Sequence, residues 1–445
     1  MARKLRELCG DLVSQLRKYG LNYHLLTPEE RLRYDPTGRI YANISRHTMN
    51  RQGQQCPITR NFGTSEDWLA TYLNRHIPAS QSRKHQLYFD LNAEYSLKYG
   101  EQGGDVALPD IVPQLAEYYV SRRSRRHQIL DVGLKALLRL IRAIKARVGS
   151  VPYVPAPSEH VKGTWAGVPT GSKKGSFDAE TQCCEPGLFR PLPAVIGIRK
   201  SRRSVRLVFQ DATSNVRAIG PICDATLKWL RMYMPQLFGA WWNPKLYVNS
   251  IATKHSARKG ISIETDYEKC DQHFSKQVLT RYIFPIIAEI YGHRSGEFIV
   301  FACMSECLFE QPLILGDVVV EGIHNLFSGQ SLTQLVETLY DAILQLGVRE
   351  VFGLLDVMHL MVGDDQALLL PANLKHYVND VNAAMIEASN TAGLTIATAK
   401  SSIRTDGVVQ FCKRLYYPGA PAEDGQLIGT CPSVLTLNSI INPEF

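Results

Sequence analysis

Met361-Val362-Gly363-Asp364-Asp365-Gln366 sets two adjacent aspartates between two short apolar runs, residues 357–362 and 367–370. Such runs meeting at a glycine are read most economically as strand, tight turn, strand, which places both carboxylates at a hairpin tip. Side by side the two charges repel. A compact fold keeps them together where water, a basic partner or a divalent cation offsets the charge. Gly-Asp is also ordinary turn chemistry, and average residue usage yields a Gly-Asp-Asp triplet in roughly one chain in ten of this length. The triplet alone therefore decides nothing, and the reading depends on what precedes it.

Upstream, Gly260-Ile261-Ser262-Ile263-Glu264-Thr265-Asp266 alternates like a half-buried strand. Asp266-Tyr267-Glu268-Lys269-Cys270-Asp271 then leads into a helical pattern through Phe274, Val278, Ile283, Ile286 and Ile290. Asp266 is expected at the strand end and Asp271 near the helix start, where its carboxylate could also serve as a simple N-cap. Between the two carboxylate pairs stands Phe327-Ser328-Gly329-Gln330-Ser331-Leu332-Thr333-Gln334-Leu335-Val336-Glu337, a glycine-hinged loop opening a helix. Asp-x-x-x-x-Asp, Ser-Gly-x-x-x-Thr and Gly-Asp-Asp, in this order, resemble motifs A, B and C of the viral RNA-directed RNA polymerases. Each motif is weak alone, and their ordered combination carries the resemblance.

Length and composition are consistent with that reading. The chain has 445 residues, 45% of them hydrophobic, enough to bury a large core and to divide into two or three packed subdomains. No apolar stretch reaches the length of a membrane span, and the start of the chain reads as an amphipathic helix rather than a signal peptide, so a cytoplasmic protein is expected. The ten cysteines show no paired Cys-x-x-Cys spacing, which points to reduced thiols rather than a zinc site or a disulfide framework. The net charge of +8 suits a polyanionic partner. Its distribution says more, because cations cluster at Arg122-Arg123-Ser124-Arg125-Arg126 and at Arg199-Lys200-Ser201-Arg202-Arg203.

Along the chain, Leu5, Leu8, Leu12 and Leu16 share one helical face, and residues 77–84 read as a polar connector. Leu130, Leu134, Leu137, Leu138, Ile141 and Ile144 form the stripe of a long helix whose other face carries Lys135, Arg139 and Arg142. A stiff Pro-rich linker at 151–157 precedes the Gly, Ser and Lys loop 167–176. Residues 313–320 read as a hairpin, residues 374–391 as a helix stopped by Gly393, and residues 394–398 as a returning strand.

The resemblance covers roughly residues 165–445 and is nearest the partitivirus and picobirnavirus group of double-stranded RNA viruses. It implies an α+β right-hand fold with fingers and palm, the palm an antiparallel sheet packed on helices. Residues 1–85 would form an N-terminal helical region, 86–225 the fingers, 226–418 the palm with a fingers-like insertion at about 290–325, and 419–445 the start of a thumb. The stretch Leu437-Asn438-Ser439-Ile440-Ile441-Asn442-Pro443-Glu444-Phe445 resembles the thumb's opening in that group, so a truncated thumb is expected. Asp266, Asp364 and Asp365 would be the catalytic carboxylates and the ligands of Mg²⁺ or Mn²⁺. Lys400, in the place of the motif D lysine, would be a general acid toward pyrophosphate.

Lys200, Arg203 and Arg206 resemble the motif F cations on the incoming triphosphate, and residues 167–176 resemble motif G. Asp271, Ser328, Gly329, Thr333 and Glu337 would line the nucleotide's sugar. Glu337 departs from the pattern, since relatives carry Asn or Asp there and its longer arm alters the geometry. Lys413 and Arg414, in a run resembling motif E, would grip primer and template. Partners implied are template and nascent RNA, nucleoside triphosphates and a viral capsid protein, without a membrane, in the host cytoplasm or inside the virion. Against this stand a reverse transcriptase, disfavoured because Met361-Val362-Gly363 replaces the usual Tyr-x before the second aspartate pair, a metal-dependent nuclease, and a non-catalytic RNA-binding protein.

Overall fold

A computed structural model describes residues 11–34, 86–88, 90–91, 108–155, 193–201, 204–242, 244–399, 401–418, 421–432 and 435. The expectations for Leu5, Leu8, the connector at 77–84, the loop at 167–176 and the stretch 437–445 lie outside these residues. The chain is a mixture of helices with antiparallel sheets.

The central sheet has four strands in the order β7 (Met358–Val362), β8 (Asp365–Leu370), β4 (Ile261–Thr265), β9 (Ser402–Arg404), antiparallel throughout. Side chains alternate across a strand, so β8 sends Leu368 and Leu370 into the main core and Ala367 and Leu369 into a smaller core behind the sheet. The main core is built from helices. The long stripe from Leu130 to Ile144 forms the Gln128–Val148 helix as expected, closed by Gly149 in the left-handed conformation. This helix crosses the Thr333–Val351 helix in backbone contact. A Cβ on Gly133 would lie 1.9 Å from the carbonyl oxygen of Ile343, and one on Gly347 would lie 2.0 Å from that of Ile129. Only two glycines allow that approach, and it sets where the Thr333 end of the helix arrives.

A second sheet of five strands has the order β1 (Asn22–Leu25), β6 (Val318–Glu321), β5 (Leu313–Leu315), β2 (Ala194–Ser201), β3 (Ser204–Gln210). The expected hairpin at 313–320 is β5 and β6, and the β5–β2 pair is parallel. The Leu12–Lys18 and Leu108–Tyr118 helices pack on this sheet through Leu12, Leu16, Ile111 and Leu115.

Three readings change. β4 is not half-buried: every residue from Ile261 to Thr265 is buried, because the hairpin of β10 (Val409–Phe411) and β11 (Arg414–Tyr416) covers its polar face. Glu264 there accepts hydrogen bonds from Ser262 Oγ at 2.9 Å, Ser402 Oγ at 2.6 Å, Arg404 Nε at 3.3 Å and the Gln410 backbone N–H at 2.6 Å. Residues 394–398 form no continuous strand. Ile396 makes a single bridge to Tyr267, and the chain rejoins the sheet only at β9. The basic side of the Gln128–Val148 helix is partly neutralised, Arg139 pairing with Glu350 at 3.1 Å and Arg142 with Glu289 at 2.8 Å. The helix at 374–391 ends at Gly393 with φ 93°, as read, after an opening 3-10 turn.

Candidate active site

The hairpin tip is built as the sequence indicates. β7 and β8 pair with Val362 opposite Asp365, leaving Gly363 and Asp364 as the two turn residues. Gly363 has φ 62°, and glycine at the first central position suits a two-residue turn matched to the strand twist. Its backbone N–H donates to Thr338 Oγ1 at 2.9 Å, so the Thr333–Val351 helix fixes the height of the turn. Asp364 is exposed and Asp365 half-buried.

β4 delivers the third carboxylate. Thr265 lies opposite Gln366, and one step further along this register Asp266 comes opposite Asp365. The Asp266 backbone is held on its outer side, its carbonyl accepting from Ala397 N–H at 2.7 Å and its N–H donating to Ser401 Oγ at 3.4 Å. Burial, then the charges of Asp364 and Asp266, push Asp365 up to about 6. The Cys412 thiol hydrogen-bonds Asp365, and Lys413 is the cation that partly offsets the repulsion. Cys412 and Lys413 both have positive φ, 49° and 60°, at the tip of the β10–β11 hairpin. Lys413, read as a primer contact, thus stands beside the carboxylates. Arg414 Nη1 donates to the carbonyl of Gly429 at 3.1 Å.

Asp271 lies inside the short Cys270–His273 helix, whose N-cap is Lys269, so the N-cap reading of Asp271 does not hold. Its Oδ2 accepts from the Tyr118 hydroxyl at 2.9 Å. Desolvation raises Asp271 above the ordinary carboxylate range, and Asp364 adds to the rise. Glu337 is buried, and its carboxyl is raised well above its usual value by burial, then by Asp364, Asp271 and Asp341. Oε2 of Glu337 lies 3.6 Å from where a Cβ on Gly363 would be. The three motifs therefore meet through Asp271, Glu337 and Asp364.

The Ser328–Gly329 loop is held against β3. The Phe209 N–H donates to the carbonyl of Ser328 at 3.3 Å, and the Phe209 carbonyl lies against Gly329, whose φ is 94°. Ser328 is half-buried and Gly329 exposed, while Thr333 Oγ1 donates back to the carbonyl of Phe327 at 3.2 Å. Arg206 sits three residues before Phe209. Period-2 alternation buries Leu207 and Phe209 and leaves Arg206 exposed on the other face of β3. Lys200 is in β2, opposite Val205. Arg203 and Lys400 lie outside the described residues.

Among the described residues, no group of three or more His, Cys, Asp or Glu side chains could hold a metal ion by itself. Mg²⁺ does not demand one, since it is usually held by one or two carboxylates and completed by water and substrate phosphates. Asp266, Asp364 and Asp365 fit that mode: they offer only hard oxygen donors, and their mutual repulsion is visible in the raised Asp365.

The crystal structure of the RNA-dependent RNA polymerase of a human picobirnavirus superposes with a TM-score of 0.72 at 16% identity, covering 95% of this chain and 82% of that one. The insertion-loop deletion mutant of that polymerase gives 0.72 at 15%, with 95% and 85% covered. The chain shares the fold of these viral polymerases. No protein-family model matches the sequence, and no curated protein matches it. A likeness so clear in coordinates and so faint in sequence means that the fold rests on the pattern of apolar faces, which many sequences satisfy. Among the described residues no helix is long and apolar enough to cross a membrane.

Two features escaped the sequence reading. Tyr118 reaches Asp271 across 153 positions from a helix with no motif, and nothing in the sequence signals it. Cys412 and Lys413 form a tight turn without glycine, so the usual turn signal is missing.

Proposed function

We propose that the protein is an RNA-directed RNA polymerase, joining nucleoside triphosphates on an RNA template by nucleotidyl transfer in a viral replication cycle. The observation that carries the reading is the meeting of Asp266 with the Gly363–Asp365 turn at one end of the four-stranded sheet, beside Asp271 and Glu337, on a fold shared with picobirnavirus polymerases. In this reading the four-stranded sheet is the palm and the β2–β3 pair belongs to the fingers.

Mg²⁺ or Mn²⁺ bound by Asp266 and Asp364, with Asp365 in support, would supply charge stabilisation to the attacking 3′-hydroxyl and the leaving pyrophosphate. The chain's own residues then divide the remaining work. Arg206, with Lys200 and Arg203, binds the triphosphate, since a planar guanidinium matches phosphate oxygens in pairs. Asp271 reads the ribose 2′-hydroxyl, which can donate to its carboxylate. Ser328, Gly329 and Thr333 shape the wall beside the sugar. Glu337, buried with its carboxyl against Gly363, serves better as a prop under the turn than as a sugar reader. Lys413 steadies Asp365 and lies at the hairpin assigned to the primer end. Lys400 donates a proton to pyrophosphate.

Nucleotide incorporation on a primed template with Mn²⁺ tests the reading. Extension of RNA primers by ribonucleotides on RNA templates is expected; deoxyribonucleotide extension would point to a reverse transcriptase, template degradation to a nuclease, and binding alone to a non-catalytic RNA-binding protein.

A further inference from the structure

Tyr118 ends the Leu108–Tyr118 helix, outside every motif, yet its side chain reaches the centre of the site. The residue is 2% exposed, and its ring makes edge contacts with Phe209 at 4.9 Å and Phe327 at 5.6 Å. Those two rings in turn stack on each other at 4.1 Å. Phe209 lies in the strand that carries Arg206, and Phe327 opens the loop of Ser328 and Gly329, so the Tyr118 ring joins three parts of the nucleotide site. For packing alone, phenylalanine would serve equally well. The hydroxyl must instead find a partner in this apolar setting, and it donates to Asp271 Oδ2 at 2.9 Å.

The helix end is fixed with some care. The carbonyl of Tyr118 accepts from Asn325 N–H at 2.7 Å, and Asn325 Nδ2 donates to the carbonyls of Val120 at 3.0 Å and Gln272 at 2.8 Å. Next to it, Glu117 pairs with Lys269. One asparagine thus ties the segment that ends in Tyr118 to the segment that carries Asp271. Backbone hydrogen bonds from Gln272 and from Asp271 itself hold the carboxylate on its own turn, and the Tyr118 hydroxyl adds a contact from a distant helix.

We propose that Tyr118 is a positioning residue for sugar selection: its hydroxyl holds the Asp271 carboxylate in the orientation that accepts the ribose 2′-hydroxyl. The assignment rests on the polymerase reading and adds to it a residue from the N-terminal side of the chain. Tyr118 touches no reacting atom, and its effect passes through Asp271.

The test compares single-nucleotide incorporation from ribo- and deoxyribonucleoside triphosphates by the full chain on a primed RNA template with Mn²⁺. Tyr118→Phe keeps the ring and removes only the hydroxyl. The kcat/KM preference for ribonucleotides should fall about tenfold, as for one lost hydrogen bond, with deoxyribonucleotide use little changed. Asp271→Asn should lower it at least as far, and the double variant should show no further loss, because the two side chains act as one unit. Lys269→Ala, which cuts the neighbouring link of the same helix, should leave the preference intact and reports on mere loosening of the segment. A Tyr118→Phe enzyme that is as selective as the parent, or that loses both nucleotide classes alike, would overturn the assignment. A parent protein that incorporates neither class would remove the polymerase reading and this inference with it.

Discussion

Two acids stand two residues apart at the same strand end and live in opposite circumstances. Glu264 is buried under the β10–β11 hairpin with four donors on its carboxylate, one of them the guanidinium of Arg404. Asp266 emerges at the open end of the sheet beside Asp364 and Asp365, where burial and then the neighbouring charges lift Asp365 to about 6. The first acid is satisfied by the protein. The second group sets three carboxylates side by side, and Lys413 offsets their charge only in part. A fold does not assemble like charges without offset, so the contrast separates an acid that holds the sheet together from acids that, in the proposed function, take a cation and a substrate.

The contrast breaks most sharply under substitution. Asp266→Ala should lower nucleotide incorporation by on the order of 10³-fold, the value of several kcal/mol of lost charge stabilisation, while a thermal melt stays close to the parent. Glu264→Ala should do the reverse to stability: it removes the acceptor shared by Arg404, Ser262, Ser402 and the Gln410 N–H, and denaturant unfolding should show a loss of about 3 kcal/mol. Were the two variants to behave alike, the division between the acids would be wrong.

Arg206→Ala should raise KM about tenfold for all four ribonucleoside triphosphates, because phosphate contacts carry no base information. A defect confined to one or two bases would move Arg206 away from the triphosphate.

A smaller effect is visible in pH. Asp365 has a folded-state pKa above its ordinary 3.8, so between about pH 4 and about 6 the folded chain holds a proton that the unfolded chain has released. Its contribution to stability therefore falls as pH rises through that window. With chelator present, Asp365→Asn should be more stable than the parent above about pH 6, and the advantage should vanish near pH 4. Denaturation midpoints across that range check the sign, and an advantage that grows toward low pH would reverse it.

What the sequence discloses and what it conceals follow the same physical line. The Gly363–Asp364 turn, the Leu130–Ile144 stripe and the Gly393 stop are local patterns, each written in one short contiguous stretch, and each appears where expected. The order of the three motifs is also linear information. Burial of the Ser262 and Glu264 face is not, because the covering hairpin comes some 140 residues later. Residues 394–398 have strand character, but backbone pairing is limited by what lies beside them, and only Ile396 finds a bridge. Tyr118 is invisible for the same reason: its significance is a contact with Asp271, not a pattern around itself. The cap alternative for Asp271 fails because Lys269 holds that position with a left-handed backbone, which no local pattern announces.

Primer extension on an RNA template with Mn²⁺, run side by side for the parent, Asp364→Ala and Glu264→Gln at equal folded concentration, tests the account most directly. It predicts extension by the parent and by Glu264→Gln, which keeps an acceptor for its donors, and none above background by Asp364→Ala. Extension by Asp364→Ala at a rate near the parent's would contradict it.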